Sequence, residues 1–268
     1  MSSDNGKRLF LETTIQVFKI FGHPNCDRKE INKILESHKL VTSTYVLKEF
    51  KLGFIKAAVD FYNLICDSEN ISEALRRTDK GFFGRQQSKI INIYALVIEN
   101  LGEGLSLSKK QVLKRLNYFI NGYLERKFYK NIETPLIDKT KCVFADFNPT
   151  KNDEDGLWEY KPSCRKSDPN DCEVQLFVEK NIEILKEIVE QYNLNSESKV
   201  DEETKRRNQT AIKIISDDDV AYGRRNCNNL SDWLICLEVP EDVVLFTINR
   251  KHYEIPCDLL NIRLYDAI

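Results

Sequence analysis

Four oxygen-bearing side chains stand where apolar runs give way to polar residues. Leu9-Phe10-Leu11 ends in Glu12-Thr13-Thr14, and Leu40-Val41 runs into Thr42-Ser43-Thr44, with Glu49 a turn or so beyond. Ser231-Asp232-Trp233-Leu234-Ile235 reads as a helix start with an acid in its first turn, and Val243-Val244-Leu245-Phe246 passes into Thr247-Ile248-Asn249. In open α/β sheets, ligands gather in the crevice beyond the carboxyl ends of the strands. Glu12, Glu49, Asp232 and Asn249 are therefore placed to face one crevice. Carboxylates and an amide are hard oxygen donors of the kind magnesium or manganese takes. Two such ions about 4 Å apart activate water and neutralise a leaving oxygen in phosphodiester hydrolysis. An acid in the first turn of a helix also complements the macrodipole, so each carboxylate alone has a structural explanation. Their joint placement is what points to a site.

Other chemistry is less well marked. Basic residues cluster as Arg76-Arg77, Lys205-Arg206-Arg207, Arg224-Arg225 and Arg250-Lys251, and the last two flank the acidic residues in sequence, as suits a strand of phosphates. Tyr222 and Trp233 are the aromatics placed to stack on bases, with a core role the alternative for Trp233. Cys142, Cys164 and Cys172 lie in an irregular stretch, but their spacing matches no standard zinc ribbon, so free thiols are expected. Cys26, Cys66, Cys227, Cys236 and Cys257 have apolar neighbours and read as core. The three histidines, His23, His38 and His252, adjoin no Gly-x-Ser-x-Gly motif, and His252 reads as a surface residue. A Gly-rich phosphate loop is missing from the sequence, which argues against a P-loop or Rossmann enzyme.

The elements that position these residues follow from periodicity. Ile15, Phe18 and Phe21 mark a helix capped by Thr13 or Thr14 and stopped by Gly22 and Pro24. Ile31, Ile34 and Leu35 mark a second, and Leu47, Phe50, Phe54 and Ala58 a third after the Leu40-Val41 strand, giving a β-α-α-β-α opening. Residues 60 to 129 read as helices only, the clearest starting at the Ser108-x-x-Gln111 capping box. Residues 139 to 171 carry Pro149, Gly156, Pro162 and Pro169 as breakers and few apolar positions, so metal or mobility is expected there. Asn193 to Asn208 reads as a polar mobile connection. Ala211 to Ile215 reads as a returning strand, with Ser216-Asp217-Asp218-Asp219 as a helix start. Two units follow: an α/β core from 1–60 plus 205–268, and a mainly helical insertion, 61–204, with an irregular Cys-containing segment at 139–172.

Composition sets outer bounds. The 268 residues are 41% hydrophobic and 31% charged, ample for a core with a charged surface. A formal charge of −2 supplies no global attraction to nucleic acid, so any such binding must be local. The sequence has no run of about eighteen apolar residues and no apolar stretch at its start, so a cytoplasmic address without membrane contact is expected.

In order and type, Leu11-Glu12-Thr13-Thr14, Val41-Thr42-Ser43-Thr44 with Glu49, Asp232-Trp233-Leu234-Ile235 and Thr247-Ile248-Asn249-Arg250-Lys251-His252-Tyr253 resemble the motifs of the PIN-domain nucleases, nearest to the bacterial toxin-type ribonucleases. The resemblance covers roughly the first and last sixty residues. Glu12 stands where that family usually has Asp, and the insertion is longer than a minimal PIN domain needs. The resemblance implies a PIN-like three-layer α/β/α sandwich with a short parallel sheet and a large mainly helical insertion. It implies a metal-dependent endonuclease, on RNA ahead of DNA, with Glu12, Glu49 and Asp232 holding magnesium or manganese and Asn249 orienting an ion or its water. Thr13 and Thr247 would then meet phosphate, with Arg224, Arg225 and Arg250 along the strand. A homo-oligomer or a neutralising protein partner would be in keeping with it. From another class, the same residues fit a PIN-like protein that has lost catalysis and serves as a binding or regulatory module. A helical interaction protein with a vestigial sheet is a third, weaker reading.

Overall fold

The structure, a computed structural model, describes residues 7–22, 28–81, 84–101, 107–164, 172–194 and 201–265. Strand β1 (Arg8–Leu11) leads into α1 (Thr13–Phe21) and α2 (Arg28–Ser37), then β2 (Lys39–Val41) and α3 (Thr44–Phe50). A wide helical turn, Lys51–Ile55, joins α3 to α4 (Lys56–Cys66). Then come α5 (Ile71–Gly81), α6 (Arg85–Leu101), α7 (Lys109–Tyr118) and α8 (Leu124–Tyr129), the hairpin β3 (Thr150–Lys151) and β4 (Trp158–Glu159), and α9 (Glu173–Lys180) and α10 (Ile182–Leu194). The chain closes with α11 (Glu202–Ile215), α12 (Arg224–Asn229), α13 (Ser231–Glu238), β5 (Val244–Phe246) and α14 (Arg250–Leu259). This is a mixed α/β architecture, mostly helical, around a short parallel sheet.

The sheet order is β2-β1-β5, all parallel. Its register sets Leu9 between Leu40 and Val244, and Phe10 between Val41 and Leu245. Side chains alternate across a strand. Leu9, Leu11, Leu40, Val244 and Phe246 accordingly join Ile15, Phe18, Ile31 and Leu35 in one apolar cluster, while Phe10, Val41 and Leu245 enter a second, larger one. Both faces of the sheet are therefore covered, which is why these strands read as continuous apolar runs. Isolated parallel bridges from Leu40 to Ile132 and from Leu245 to Leu264 extend the sheet on either side. After β1 the chain first adds backbone on the β2 side and later returns to the other side. The topological switch point thus lies between the carboxyl ends of β1 and β5.

Local signals set several boundaries. Ser43 caps α3 by accepting from Val46 N–H, and Ser108 and Gln111 form the expected capping box on α7. Gly22 ends α1 at φ 77°, donating its N–H to Phe18 O at 2.7 Å.

Three expectations fail. Ala211 to Ile215 is not a strand but the end of α11, whose buried Thr204, Arg207, Thr210, Ala211 and Ile214 recur at helical spacing. Two polar residues and an arginine on that inward face hid the period, and Asp201, accepting from Thr204 N–H at 2.8 Å, starts the helix inside the stretch read as a mobile connection. Ser216 to Asp219 do not begin a helix but close α11, with the Asp218 and Asp219 N–H groups both donating to Lys213 O. In the irregular segment, residues 139 to 164 are held by packing. Phe144, Trp158 and Tyr160 are buried, and the Asn63 side chain brackets Trp158 through both its backbone N–H and its carbonyl, at 3.0 and 2.8 Å. Among the described residues no helix is long and apolar enough to cross a membrane.

Candidate functional site

The carboxyl end of β1 delivers Glu12, which serves as the N-cap of α1 and accepts from Thr14 N–H at 2.8 Å and from the Thr14 hydroxyl. Glu49 projects from α3 and accepts from the Thr13 hydroxyl. Asp232 lies in the first turn of α13. Tyr253 on α14 is fully buried within electrostatic reach of all three: burial, then the charges of Asp232, Glu12 and Glu49, hold its phenol well above the ordinary range. Its hydroxyl lies 3.4 Å from Asp232 Oδ1. Three acids thus lie near the switch point within electrostatic reach of one buried phenol.

Their electrostatics differ. Burial pushes the Glu12 carboxyl up to about 7, the Asp232 charge adds to this, and hydrogen bonds from Thr14 offset only part. Glu49 is also raised, by burial first and by the Asp232 charge, against Lys48 and Thr13. For Asp232, burial opposes the charge, but His252 and the Arg207 guanidinium outweigh it and hold the carboxyl below its usual range. Arg207, 1% exposed, pairs with Asp232 Oδ2, leaving its Nε and Nη1 without a protein partner. Arg207 and His252 thus counter the Asp232 charge, whereas Lys48 offsets only part of the rise at Glu49.

His252 completes an ion chain. Its Nδ1 lies 3.1 Å from Asp232 Oδ2 and its Nε2 3.2 Å from Asp201 Oδ2, while Lys251 reaches Asp201 at 2.6 Å. A neutral imidazole has one N–H, so two carboxylate contacts are both satisfied only by the imidazolium. The Asp232 hydrogen bond accordingly raises the His252 pKa against the effect of burial. His252 is therefore a buried ion-pair residue, not the surface histidine expected.

The remaining sequence candidates are scattered. Asn249 precedes α14 and donates its backbone N–H to Thr247 Oγ1 at 2.9 Å, but no hydrogen bond among the described residues joins its side chain to the acids. Thr247 is buried, and its side chain helps hold the Glu12 charge. Arg250 donates to Tyr265 O at 3.1 Å, on the β5 side of the sheet. Arg225 is exposed on α12, and the Arg224 side chain lies outside the described residues. Trp233 is fully buried and stacks on Tyr192 with centroids 5.6 Å apart, so it is core. Arg207, Tyr253 and Asp201 were missed. Arg207 was hidden in a basic triplet, although its spacing from Thr204, Ala211 and Ile214 would have turned it inward.

As the side chains stand, no three His, Cys, Asp or Glu residues among those described converge closely enough to hold a metal ion. Cys142, Cys164 and Cys172 are free thiols. The donor chemistry at Glu12 and Glu49 nevertheless suits a hard divalent cation: one buried and one half-buried carboxyl, both raised in pKa, with no basic group among the described residues hydrogen-bonded to either. No family model matches this chain, and no curated protein or solved structure matches it either.

Proposed function

We propose that this protein is a metal-dependent phosphodiester hydrolase, an endonuclease acting on RNA ahead of DNA, built on a PIN-like sandwich. One observation carries the reading: Glu12, buried, and Glu49 and Asp232, half-buried, lie in mutual electrostatic reach at the switch point of a parallel sheet. Holding Glu12 and Glu49 ionised there is costly unless a cation joins them. Glu12 and Glu49, with Asp232 completing the set, would hold magnesium or manganese, which would supply an activated water and a counter-charge for the leaving oxygen. The protein's own residues perform the positioning. Thr14 and Thr13 fix the rotamers of Glu12 and Glu49, and Arg207 with His252 keeps Asp232 ionised.

The engaged state of Asp232 favours a second reading, a non-catalytic module in which Arg207 takes the cation's place permanently. The two separate by experiment. Glu12→Gln and Glu49→Gln each remove a charge that burial already disfavours, so both variants should fold with equal or higher thermal stability. Both should lose manganese binding and the cutting of single-stranded RNA, each by a hundredfold or more. A wild-type protein that binds no manganese by calorimetry and leaves RNA intact would overturn the nuclease reading in favour of the module.

A further inference from the structure

Away from the acidic cluster, α11, α12 and the loop between them line a half-open cavity of about 460 Å³. This is the size of a small-ligand site. Arg206, Gln209, Thr210 and Lys213 line one wall from a single helix face. Arg207, Ala211 and Ile214 point the other way, so α11 separates this cavity from the acidic cluster. Tyr222, Arg225, Asn226 and Asn229 form the facing wall, with Asp219 between. Three cations against one acid give the lining a formal charge of +2.

The walls are fastened. Asn229 Nδ2 donates to Thr210 Oγ1 at 3.0 Å, tying α12 to α11, and Asn226 Nδ2 donates to Val220 O at 2.7 Å, tying α12 to its loop. The Tyr222 backbone N–H donates to Gln175 Oε1 at 3.0 Å, anchoring the aromatic to α9. Gly223, at φ 93°, makes the turn that joins Tyr222 to α12, and a Cβ there would meet open space.

We infer that this cavity is a nucleotide site, taking a phosphate on Arg206, Lys213 and Arg225 and an aromatic base against Tyr222. The aromatic and the lone acid together favour a nucleotide: Asp219 can accept from ribose hydroxyls and base amino groups, which a bare polyanion lacks. Stacking on a tyrosine tolerates any base, and arginines supply the backbone contacts. The ligand is either a free mononucleotide or one unit of a single strand. The strand form rests on the proposed nuclease reading, for which the cavity would anchor substrate away from the cut.

The test is fluorescence anisotropy with a labelled single-stranded RNA octamer, and calorimetry with adenosine monophosphate, both in EDTA so that cleavage plays no part. Wild-type protein should bind the octamer, and Arg206→Glu with Arg225→Glu should weaken it at least thirtyfold and flatten the salt dependence by about one to two log units per log unit of salt. Tyr222→Ala should weaken binding about tenfold and leave the salt slope unchanged. Competition by the mononucleotide identifies a free-nucleotide site, and octamer binding without such competition identifies a strand unit; either supports the proposal. Equal competition by polyglutamate, or unchanged binding in the Arg and Tyr variants, overturns it. A wild-type protein that binds the octamer in EDTA but never cuts it with manganese present would sink the nuclease reading alone.

Discussion

Glu238 shows how much a single buried charge costs in this protein. It is fully buried at the end of α13, and both the N–H and the hydroxyl of Thr140 donate to its Oε1, at 3.1 and 2.9 Å. Burial still wins over these and the Ser43 hydrogen bond, pushing the carboxyl up to about 7 from an ordinary 4.5. The folded state therefore holds a proton that the unfolded chain has released. Stability from this group is complete below about pH 4.5 and is lost as pH rises toward 7, on the order of 3 kcal/mol in all. Glu238→Gln keeps an oxygen for Thr140 and removes the titration. The variant should be more stable than wild type at pH 8 and nearly equal to it at pH 4.5, as read by urea unfolding at the two pH values. Equal stability at pH 8 would show that Glu238 is not desolvated as described.

At the scale of the element, α11 matters most, because it faces two ways. Its inner face sends Arg207 to Asp232 on α13, and its outer face lines the cationic cavity. Removing one partner of a buried ion pair leaves the other uncompensated, at a cost of about 3–5 kcal/mol. His252 remains beside Asp232, so Arg207→Met should fall at the low end, about 3 kcal/mol. Adding Asp232→Asn should recover part of that loss. A strictly additive double variant would show that the two side chains do not act as a pair. The same helix was the least legible in sequence, since an arginine at a core position breaks the apolar period by which an inward face is read. By contrast, α7 is plain from Ser108 and Gln111, whose capping chemistry is local.

For the molecule as a whole, legibility followed the range of the interactions. Strands β1, β2 and β5 are short apolar runs because helices cover both sheet faces, and Glu12, Glu49 and Asp232 could be picked out because strand ends and helix starts are local features. The counter-charge on Asp232 could not, since it arrives from twenty-five residues away on a helix masked as a linker. Nor could the packing of Trp158 on Asn63, where two hydrogen bonds across ninety-five residues replace an apolar stripe.

The place of β5 in the sheet also bears on how the chain reaches its native state. Strand β1 meets β2 across about thirty residues but meets β5 across more than two hundred, Leu9 pairing with Leu40 on one side and Val244 on the other. Closing so long a loop is slow, and until it happens one edge of β1 stays unpaired and able to recruit a foreign strand. During synthesis at roughly 5–20 residues per second, that edge waits about ten seconds or more for its partner. Ribosome-stalled chains ending before Val243 should therefore be protease-sensitive around Leu9 to Leu11 and prone to aggregate, and chains extended through Tyr265 should become resistant in one step. Resistance gained before β5 emerges would mean that the N-terminal strands and the helices fold as an independent unit.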